Sequence, residues 1–262
     1  MVTRSPEQAR GLARELEARG AEVLLLPAVK FSSVLETEKL DAVLRRIFEF
    51  DWILFTSQNA VRFFLERCAA QGLDMDSSVS RKVLIAVVGP ATRNTAIREG
   101  FSVNYAAVNH SGDGLAEEMR EKLQGRHVLL PRSDRADDRL PKSLRDSGAD
   151  VTELVVYRTI APDAFDPAII GAVRKSGVHA IVFASPSAFR NLSDEIGAKE
   201  FAGISSRVAF AAIGVTTARA IRDAGARCEI EADDASDKAL TDALAKYYEM
   251  PRSPEMPSAR RA

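Results

Sequence analysis

The sequence predicts an α/β fold of two similar lobes, each a parallel β-sheet flanked by helices, joined by a two-stranded β connector. The first observation behind this prediction is that short apolar strands alternate with helical segments of about 10 to 15 residues, as in parallel sheets covered on both faces. The second is an internal repeat. The third is that two extended segments, residues 23–31 and 153–159, each end 11 residues after a helix-ending glycine, Gly20 and Gly148.

The internal repeat is visible in matching landmarks. One segment, DWILFTSQNAVRFF, and a later one, HAIVFASPSAFRNL, align Ser57 with Ser185. Gly89 and Gly214 each end a short apolar run, and each precedes a second glycine by 11 residues and a serine by 22. Agreement at several landmarks indicates a duplication, so the chain crosses twice between two related lobes.

These crossings predict the domain boundaries. Lobe 1 is expected to be discontinuous, residues 1–30 plus 160–250, and lobe 2 to be residues 34–153. The connector strands are expected at residues 23–33 and 153–160. Two lobes on a thin connector should hinge, with an active-site cleft between them.

The first elements of the chain follow from local signals. Only residues 1–3 remain for a first strand before the first helix, which predicts a short strand that is frayed or truncated and places Arg4 close to a mobile end. Ser5 and Gln8 flank Pro6 as in a capping box, which predicts the helix start. An apolar stripe predicts a second helix over roughly residues 38–48.

The strand-to-helix turns come next. A strand over residues 51–56 leads into a helix capped by Ser57, and the apolar run before Gly89 leads into another helix. The second lap repeats these turns at Ser185 and Gly214. Each turn is expected at the carboxyl end of a buried parallel strand.

Bulk composition limits the possible functions. With 46% hydrophobic and 28% charged residues the chain has globular composition, although three prolines and no periodicity in residues 251–262 predict a disordered tail. No run of 18 apolar residues is present and the first residues lack a hydrophobic region, so we expect no membrane association and a cytoplasmic location. A net charge of −1 gives no general attraction for nucleic acid.

The sequence gives little support for a cofactor or a metal. Neither GxGxxG nor GxxxxGK[ST] follows a strand. His110, His127 and His179 are scattered, and Cys68 and Cys228 are far apart, so we predict no metal site and two unpaired, mostly buried thiols. Nothing resembles a nucleophile elbow or a catalytic triad.

The stretch 132–139 alternates arginines with aspartates. Charges so closely mixed are typical of a solvated loop in which the side chains pair with each other. Asp134 is therefore expected in an ion-paired loop rather than in a catalytic carboxylate pair.

Small hydroxyl residues collect at the carboxyl ends of the predicted strands. Ligands of open parallel sheets bind there, where helix N-termini present unpaired N–H groups and partial positive charge. Each residue can equally be a helix N-cap alone. As a set they predict a site for carboxylates or phosphates, formed by Ser57, Thr92, Ser185, Ser187, Thr216 and Thr217.

Short landmarks along the chain then match those of a known family in order. They lie at residues 3–4, 20–27, 55–61, 88–92, 156–159, 183–187 and 213–218. Together they resemble the uroporphyrinogen-III synthase (HemD-like) family. The resemblance implies a monomeric hydro-lyase of tetrapyrrole biosynthesis with no cofactor. It would cyclise hydroxymethylbilane, with loss of water and inversion of the last pyrrole ring, ring D.

The resemblance also implies roles for individual residues. Tyr157 matches the family's tyrosine at the cleft and is expected to assist departure of the substrate hydroxyl. Arg4 and the six hydroxyl residues above are expected to bind substrate carboxylates. Val215 stands where the family usually has a proline, which puts the turn at Thr216 in question.

Partners and alternatives complete the prediction. The expected partners are hydroxymethylbilane and, transiently, hydroxymethylbilane synthase. The alternative function is a non-catalytic two-lobed cytoplasmic binding protein or regulator that closes on a small polyanionic ligand.

Overall fold

The computed structural model describes residues 1–73, 75, 82–109 and 111–249, apart from the side chain of Glu7. His110 and the predicted tail at 251–262 lie outside these described residues.

Within the described residues the chain forms two compact units. Unit 1 consists of Met1–Lys30 and the described part of Ile160–Ala262, and unit 2 consists of Phe31–Thr159. The helices are α1 (Pro6–Glu17), α2 (Glu38–Leu44), α3 (Gln58–Ala70), α4 (Pro90–Arg98), α5 (Gly112–Leu123), α6 (Arg139–Asp146), α7 (Pro167–Arg174), α8 (Pro186–Ile196), α9 (Ala198–Ile204), α10 (Val215–Asp223) and α11 (Asp237–Glu249). The strands are β1 (Lys30–Ser33), β2 (Trp52–Phe55), β3 (Leu84–Val87), β4 (Val103–Ala106), β5 (His127–Ser133), β6 (Asp150–Ile160), β7 (Ala180–Phe183), β8 (Ala209–Ala212) and β9 (Ile230–Glu231).

Unit 2 is built on a sheet with strand order β1-β6-β5-β2-β3-β4, in which β6, β5, β2, β3 and β4 are parallel to their neighbours. Successive side chains of a strand point to opposite faces. Ile53 and Phe55 of β2 accordingly pack with α2, α3 and α4, whereas Trp52 and Leu54 pack with α5 and α6. Both faces of the sheet are therefore covered, which confirms the predicted α/β class.

Unit 1 has a smaller parallel sheet, β7-β8-β9, extended at one edge by the first residues of the chain. Val182 and Ala211 pack on one face with α1 and α11. Phe183 and Phe210 occupy alternate positions on β7 and β8, and their ring centroids lie 5.3 Å apart. Phe183 also contacts the α8 and α9 phenylalanines at 5.4 and 6.2 Å.

The expectation of a frayed first strand is wrong. Val2 is paired on both sides, with Leu25 and with Val182, in parallel bridges. The Met1 amino group donates a hydrogen bond to the carbonyl oxygen of Ala180 at 2.7 Å. Because the main chain of these residues has hydrogen-bond partners on both sides, even so short a strand is held in place.

The chain passes between the units in β1 and β6, which are neighbours in the larger sheet. β1 begins only at Lys30. The preceding residues remain with the first strand, since Leu26 N–H donates to the Val2 carbonyl at 2.9 Å and Ala28 N–H donates to that of Thr3 at 3.0 Å.

Two local predictions are also corrected. The helix expected over 38–48 ends at Leu44, because Arg46 leaves the helical region at φ −107° and ψ 20°, and a 3₁₀ turn follows at Ile47–Glu49. Ser5 is the N-cap of α1, but its side chain makes no cap hydrogen bond. The fixed φ of Pro6 is suited to the first helical position without one.

Candidate active site at the carboxyl ends of the strands

Tyr157 lies near the end of β6 in unit 2, with only 7% of its surface exposed. Its ring stacks on Phe63, with centroids 5.3 Å apart and planes 16° from parallel, and meets the edge of Phe31 at 5.8 Å. Its phenolic oxygen lies 3.2 Å from Oγ of Ser57. The apolar contacts fix the ring, and the serine fixes the polar end.

The sequence left open whether Ser57 is only a helix N-cap or also part of a binding site. It is the N-cap of α3, and its Oγ accepts the backbone N–H of Ala60 at 3.1 Å. A hydroxyl that accepts through one lone pair keeps its proton and a second lone pair for other partners. Capping therefore leaves Ser57 able to bond to Tyr157.

A second group of polar residues follows β5. Oγ of Ser133 lies 2.8 Å from Oγ1 of Thr159 and donates to Oδ1 of Asp134 at 3.0 Å. Asp134 also accepts the backbone N–H of Thr159 at 2.9 Å. As the sequence predicted, Asp134 is exposed and ion-paired, with Arg158 at 3.9 Å; its carboxylate also bridges the ends of β5 and β6, which the sequence did not predict.

One charged side chain of this loop, that of Arg132, is less exposed than expected. Arg132 is 7% exposed, ion-pairs with Glu153 of β6, and donates to the carbonyl oxygen of Asp137 at 2.8 Å. Arg139 and Asp137 do form the exposed pair that the sequence predicted, at 2.8 Å. Sequence reasoning missed Ser133 and Thr159, although a serine directly after a buried strand was the signal that identified Ser57.

Burial raises the pKa of Tyr157 above its usual value near 10, and the Asp134 carboxylate acts in the same direction. Hydrogen bonds from Ser57 and Ser133 oppose this rise. The phenol therefore keeps its proton at neutral pH, which suits it to donate a hydrogen bond rather than to act as a base.

Thr92 lies at the end of β3, which neighbours β2. It is the third residue of α4 and is buried. The helix starts after Gly89, whose positive φ of 77° is a conformation that glycine adopts readily. The N–H groups of this first helical turn have no acceptor within the helix and can bind an anion.

Unit 1 repeats these turns. Ser185 caps α8 by accepting the Ala188 N–H at 3.2 Å, and Ser187 in the first turn is buried. α10 begins at Val215 after Gly214, just as α4 begins at Pro90 after Gly89, so valine in place of proline does not prevent the helix start. Thr217 is buried in that first turn, whereas Thr216 is exposed.

Arg4 follows the first strand of unit 1. Its Nη1 lies 2.5 Å from Oδ1 of Asp237, the first residue of α11, and both side chains are partly buried. The preceding Thr3 is fully buried and donates through Oγ1 to the Val182 carbonyl at 2.8 Å. The expected mobility of Arg4 is therefore wrong, because this ion pair and the paired strand hold it.

The predicted site residues thus fall into two sets, one in each unit. Tyr157 and Ser57 are in contact in unit 2, and Thr92 follows the adjacent strand. Arg4, Ser185 and the pair Thr216–Thr217 follow the first strand, β7 and β8 of unit 1.

Within the described residues there is little support for a metal site, a membrane-spanning helix or a reactive thiol. There, no three His, Cys, Asp or Glu side chains come together as a possible metal-binding group, and no described helix is long and apolar enough to cross a membrane. Cys68 and Cys228 are both free, and burial raises their pKa values to about 12 and about 11. This confirms the prediction of two unpaired thiols and makes both weak nucleophiles.

Comparison with known proteins identifies the family of the chain. The family model described as uroporphyrinogen-III synthase HemD matches residues 10–242. The chain belongs to the uroporphyrinogen-III synthase family. This confirms the resemblance seen in the sequence and makes the protein a member of a lyase family of tetrapyrrole biosynthesis.

Individual uroporphyrinogen-III synthases match most of the chain. The chloroplastic enzyme of Oryza sativa subsp. japonica is 32% identical over 86% of this chain and 72% of its own. That of Synechococcus elongatus is 28% identical over 89% of each chain. The crystal structure of a mutant uroporphyrinogen III synthase from the extremely thermophilic bacterium Thermus thermophilus matches with a TM-score of 0.61 at 19% identity, covering 94% of this chain and 96% of that one, which shows a shared fold.

Proposed function

We propose that this synthase acts on hydroxymethylbilane and that Tyr157 is its catalytic residue. The single observation that carries the assignment of Tyr157 is a buried, protonated phenol whose oxygen lies 3.2 Å from a serine hydroxyl, at the carboxyl edge of a parallel sheet. Ligands of such sheets bind at this edge.

The reaction begins with the hydroxymethyl group at the end of the linear tetrapyrrole. The carbon–oxygen bond breaks, the oxygen leaves as hydroxide with the bonding electron pair, and an azafulvene-like cation remains. The proton released at the end of the reaction converts this hydroxide to water. The phenolic O–H of Tyr157 donates a hydrogen bond to the departing oxygen and so stabilises the negative charge that develops on it. No covalent bond to the protein is needed.

The cation then attacks the last pyrrole ring at its substituted carbon and gives a spiro intermediate. This intermediate reopens and closes again with ring D inverted, and loss of a proton gives uroporphyrinogen III. Holding the chain ends in the reactive geometry supplies much of the catalytic effect in a reaction of this kind. Isomer I, the product of spontaneous closure, forms without inversion.

The substrate carries eight carboxylates, and both units offer donors for them. In unit 2 these are the first turns of α3 and α4, with Ser57 and Thr92. In unit 1 they are Arg4 and the first turns of α8 and α10, with Ser185, Ser187, Thr216 and Thr217. Main-chain N–H groups share the binding with these side chains, so single substitutions of the hydroxyl residues should have mild effects.

Three further expectations stay predictions. A transient contact with hydroxymethylbilane synthase would deliver an unstable substrate before it closes spontaneously. A cytoplasmic location and a monomeric state remain as the sequence and the resemblance predicted them.

The test is a coupled assay. Enzymatically made hydroxymethylbilane is supplied to the purified protein, the products are oxidised, and the uroporphyrin I and III isomers are separated. We expect mostly isomer III. Isomer I alone would contradict the proposed reaction and would favour the alternative of a polyanion-binding protein.

A further inference from the structure

The pairing of β5 with β6 shifts register beside Tyr157. Arg132 pairs with Val155, whereas the next residue, Ser133, pairs with Tyr157, so that Val156 is passed over. Paired residues of neighbouring strands project from the same face of a sheet. The irregularity therefore brings the Ser133 hydroxyl and the Tyr157 phenol to one face, and irregularities of this kind commonly re-aim side chains.

Asp134 holds the backbone on both sides of the phenol. Its N–H donates to the carbonyl oxygen of Tyr157 at 3.2 Å, and its Oδ1 accepts the N–H of Thr159 at 2.9 Å. These two bonds fix the end of β6 against the end of β5. The Cα of Tyr157 is thereby set relative to the sheet.

Ser133 is itself fixed by three neighbours. Its Oγ donates to Asp134, lies 2.8 Å from the Thr159 hydroxyl, and accepts the N–H of Arg135 at 3.2 Å. A hydroxyl with its proton and lone pairs engaged cannot rotate freely. On the other side of the phenol, Ser57 is fixed in a similar way by capping α3.

We propose that Ser133 and Asp134 are positioning residues for the reaction, acting through Tyr157. Asp134 holds the strand that carries the phenol, and Ser133 holds the Asp134 carboxylate and the Thr159 hydroxyl in place at the end of that strand. The inference depends on the proposed function of Tyr157. Neither residue needs to touch the substrate, so the effect belongs to kcat and not to substrate binding.

The test is a double-mutant cycle on kcat for isomer III. Ser133→Ala should lower kcat by about 3-fold to 10-fold, because the Asp134 carboxylate that holds the end of β6 loses one of its hydrogen bonds, with KM unchanged. In a Tyr157→Phe background the same substitution should have no further effect, because the group that it positions is gone. Ser147→Ala is the matched control, since that hydroxyl bonds to the Ser143 carbonyl in the same unit at 2.9 Å.

Asp134→Asn provides a second variant in case Ser133→Ala folds poorly. Asparagine keeps an oxygen that can accept the Thr159 N–H but removes the charge that orients Ser133. We expect a fall in kcat of about 3-fold that is again absent when Tyr157 is phenylalanine. Folding of every variant is compared by near-UV circular dichroism.

The outcomes separate this inference from the one it depends on. Losses seen only when Tyr157 is present support the positioning role. Equal losses in both backgrounds, or none in the wild-type background, overturn that role alone. Wild-type protein that yields only isomer I, or a Tyr157→Phe variant at full rate, would overturn the proposed function and this inference with it.

Discussion

Ser57 in unit 2 and Ser185 in unit 1 occupy equivalent places in the two halves of the repeat. Each follows a buried strand and accepts the backbone N–H three residues later, at 3.1 and 3.2 Å. Their other neighbours differ. Ser57 lies 3.2 Å from a phenol, whereas the position of unit 1 that is equivalent to Tyr157 in the repeat holds Val29.

The comparison shows which features the two units of the duplicated fold share and which occur in only one of them. The features that bind anions, capped helix starts after parallel strands, are shared by both units. The feature that can assist bond breaking occurs at only one of the two equivalent positions. Under the proposed function, the two units would differ in catalysis through one side chain and its neighbours, next to a turn that both units share.

The largest expected effect tests whether the two cores are equivalent. Phe55 and Phe183 are repeat partners, and both are fully buried. Replacing either with alanine should lower the free energy of unfolding by about 3–5 kcal/mol, from lost burial and the cavity that remains. Denaturant unfolding measures this, with the half-exposed Phe48→Ala as control; a loss below about 1 kcal/mol at either site would show that its core is not packed as described.

The second prediction concerns the pH dependence of stability, to which the Met1 amino group of unit 1 contributes. Burial lowers the pKa of the Met1 amino group from 8.0 to about 6. Between these values the unfolded chain binds more protons than the folded one, so stability is greatest above pH 8 and falls as the pH drops to 6. The expected loss is on the order of 2 kcal/mol.

Thermal unfolding at pH 6, 7 and 8 measures this loss. A variant with a short Gly-Ser extension before Met1 is the control, since it replaces the buried amine with an amide. It should lose this part of the pH dependence. If stability depends on pH in the extended variant as strongly as in the original chain, groups other than the Met1 amine cause that dependence.

Two smaller effects separate the capping role of these serines from the proposed role of Ser57 in the reaction. Ser57→Ala and Ser185→Ala should each cost about 1 kcal/mol of stability, because both remove an N-cap. Only Ser57→Ala should also lower kcat, by about 3-fold, because only that serine contacts the phenol. Stability and isomer III formation are measured on both variants; equal kcat losses would remove the distinction between the units.

The smallest effect concerns substrate binding in unit 1. Arg4→Ala should raise KM about 3-fold with kcat unchanged, since a partly exposed cation binds one carboxylate among many donors. Arg19→Ala is the matched control, because Arg19 also pairs with a carboxylate of α11, Asp242, but is more exposed. A lowered kcat for Arg4→Ala would assign that residue to the chemistry instead.

Much of the fold could be predicted from local signals. Ser57 and Ser185 were both expected to cap helices, and each accepts a backbone N–H three residues later. Such signals suffice because capping depends only on neighbouring residues.

The features that the sequence did not predict have a common physical origin. The first strand is held in place because Val2 pairs with Leu25 and with Val182. Neither residue is a near neighbour of Val2 in the sequence. The role of Asp134 depends on the register of β5 against β6. Both are properties of strand pairing, which a single sequence does not specify residue by residue.

The most direct test of the central claim is the rate at which Tyr157→Phe forms isomer III from hydroxymethylbilane. Tyr105→Phe is the control, since that phenol also lies in unit 2 but donates to Glu118 at 2.9 Å and has no proposed role. We predict a loss of about 10-fold to 100-fold for Tyr157→Phe and none for Tyr105→Phe. A Tyr157→Phe enzyme at full rate would contradict the assignment of catalysis to the Tyr157 phenol.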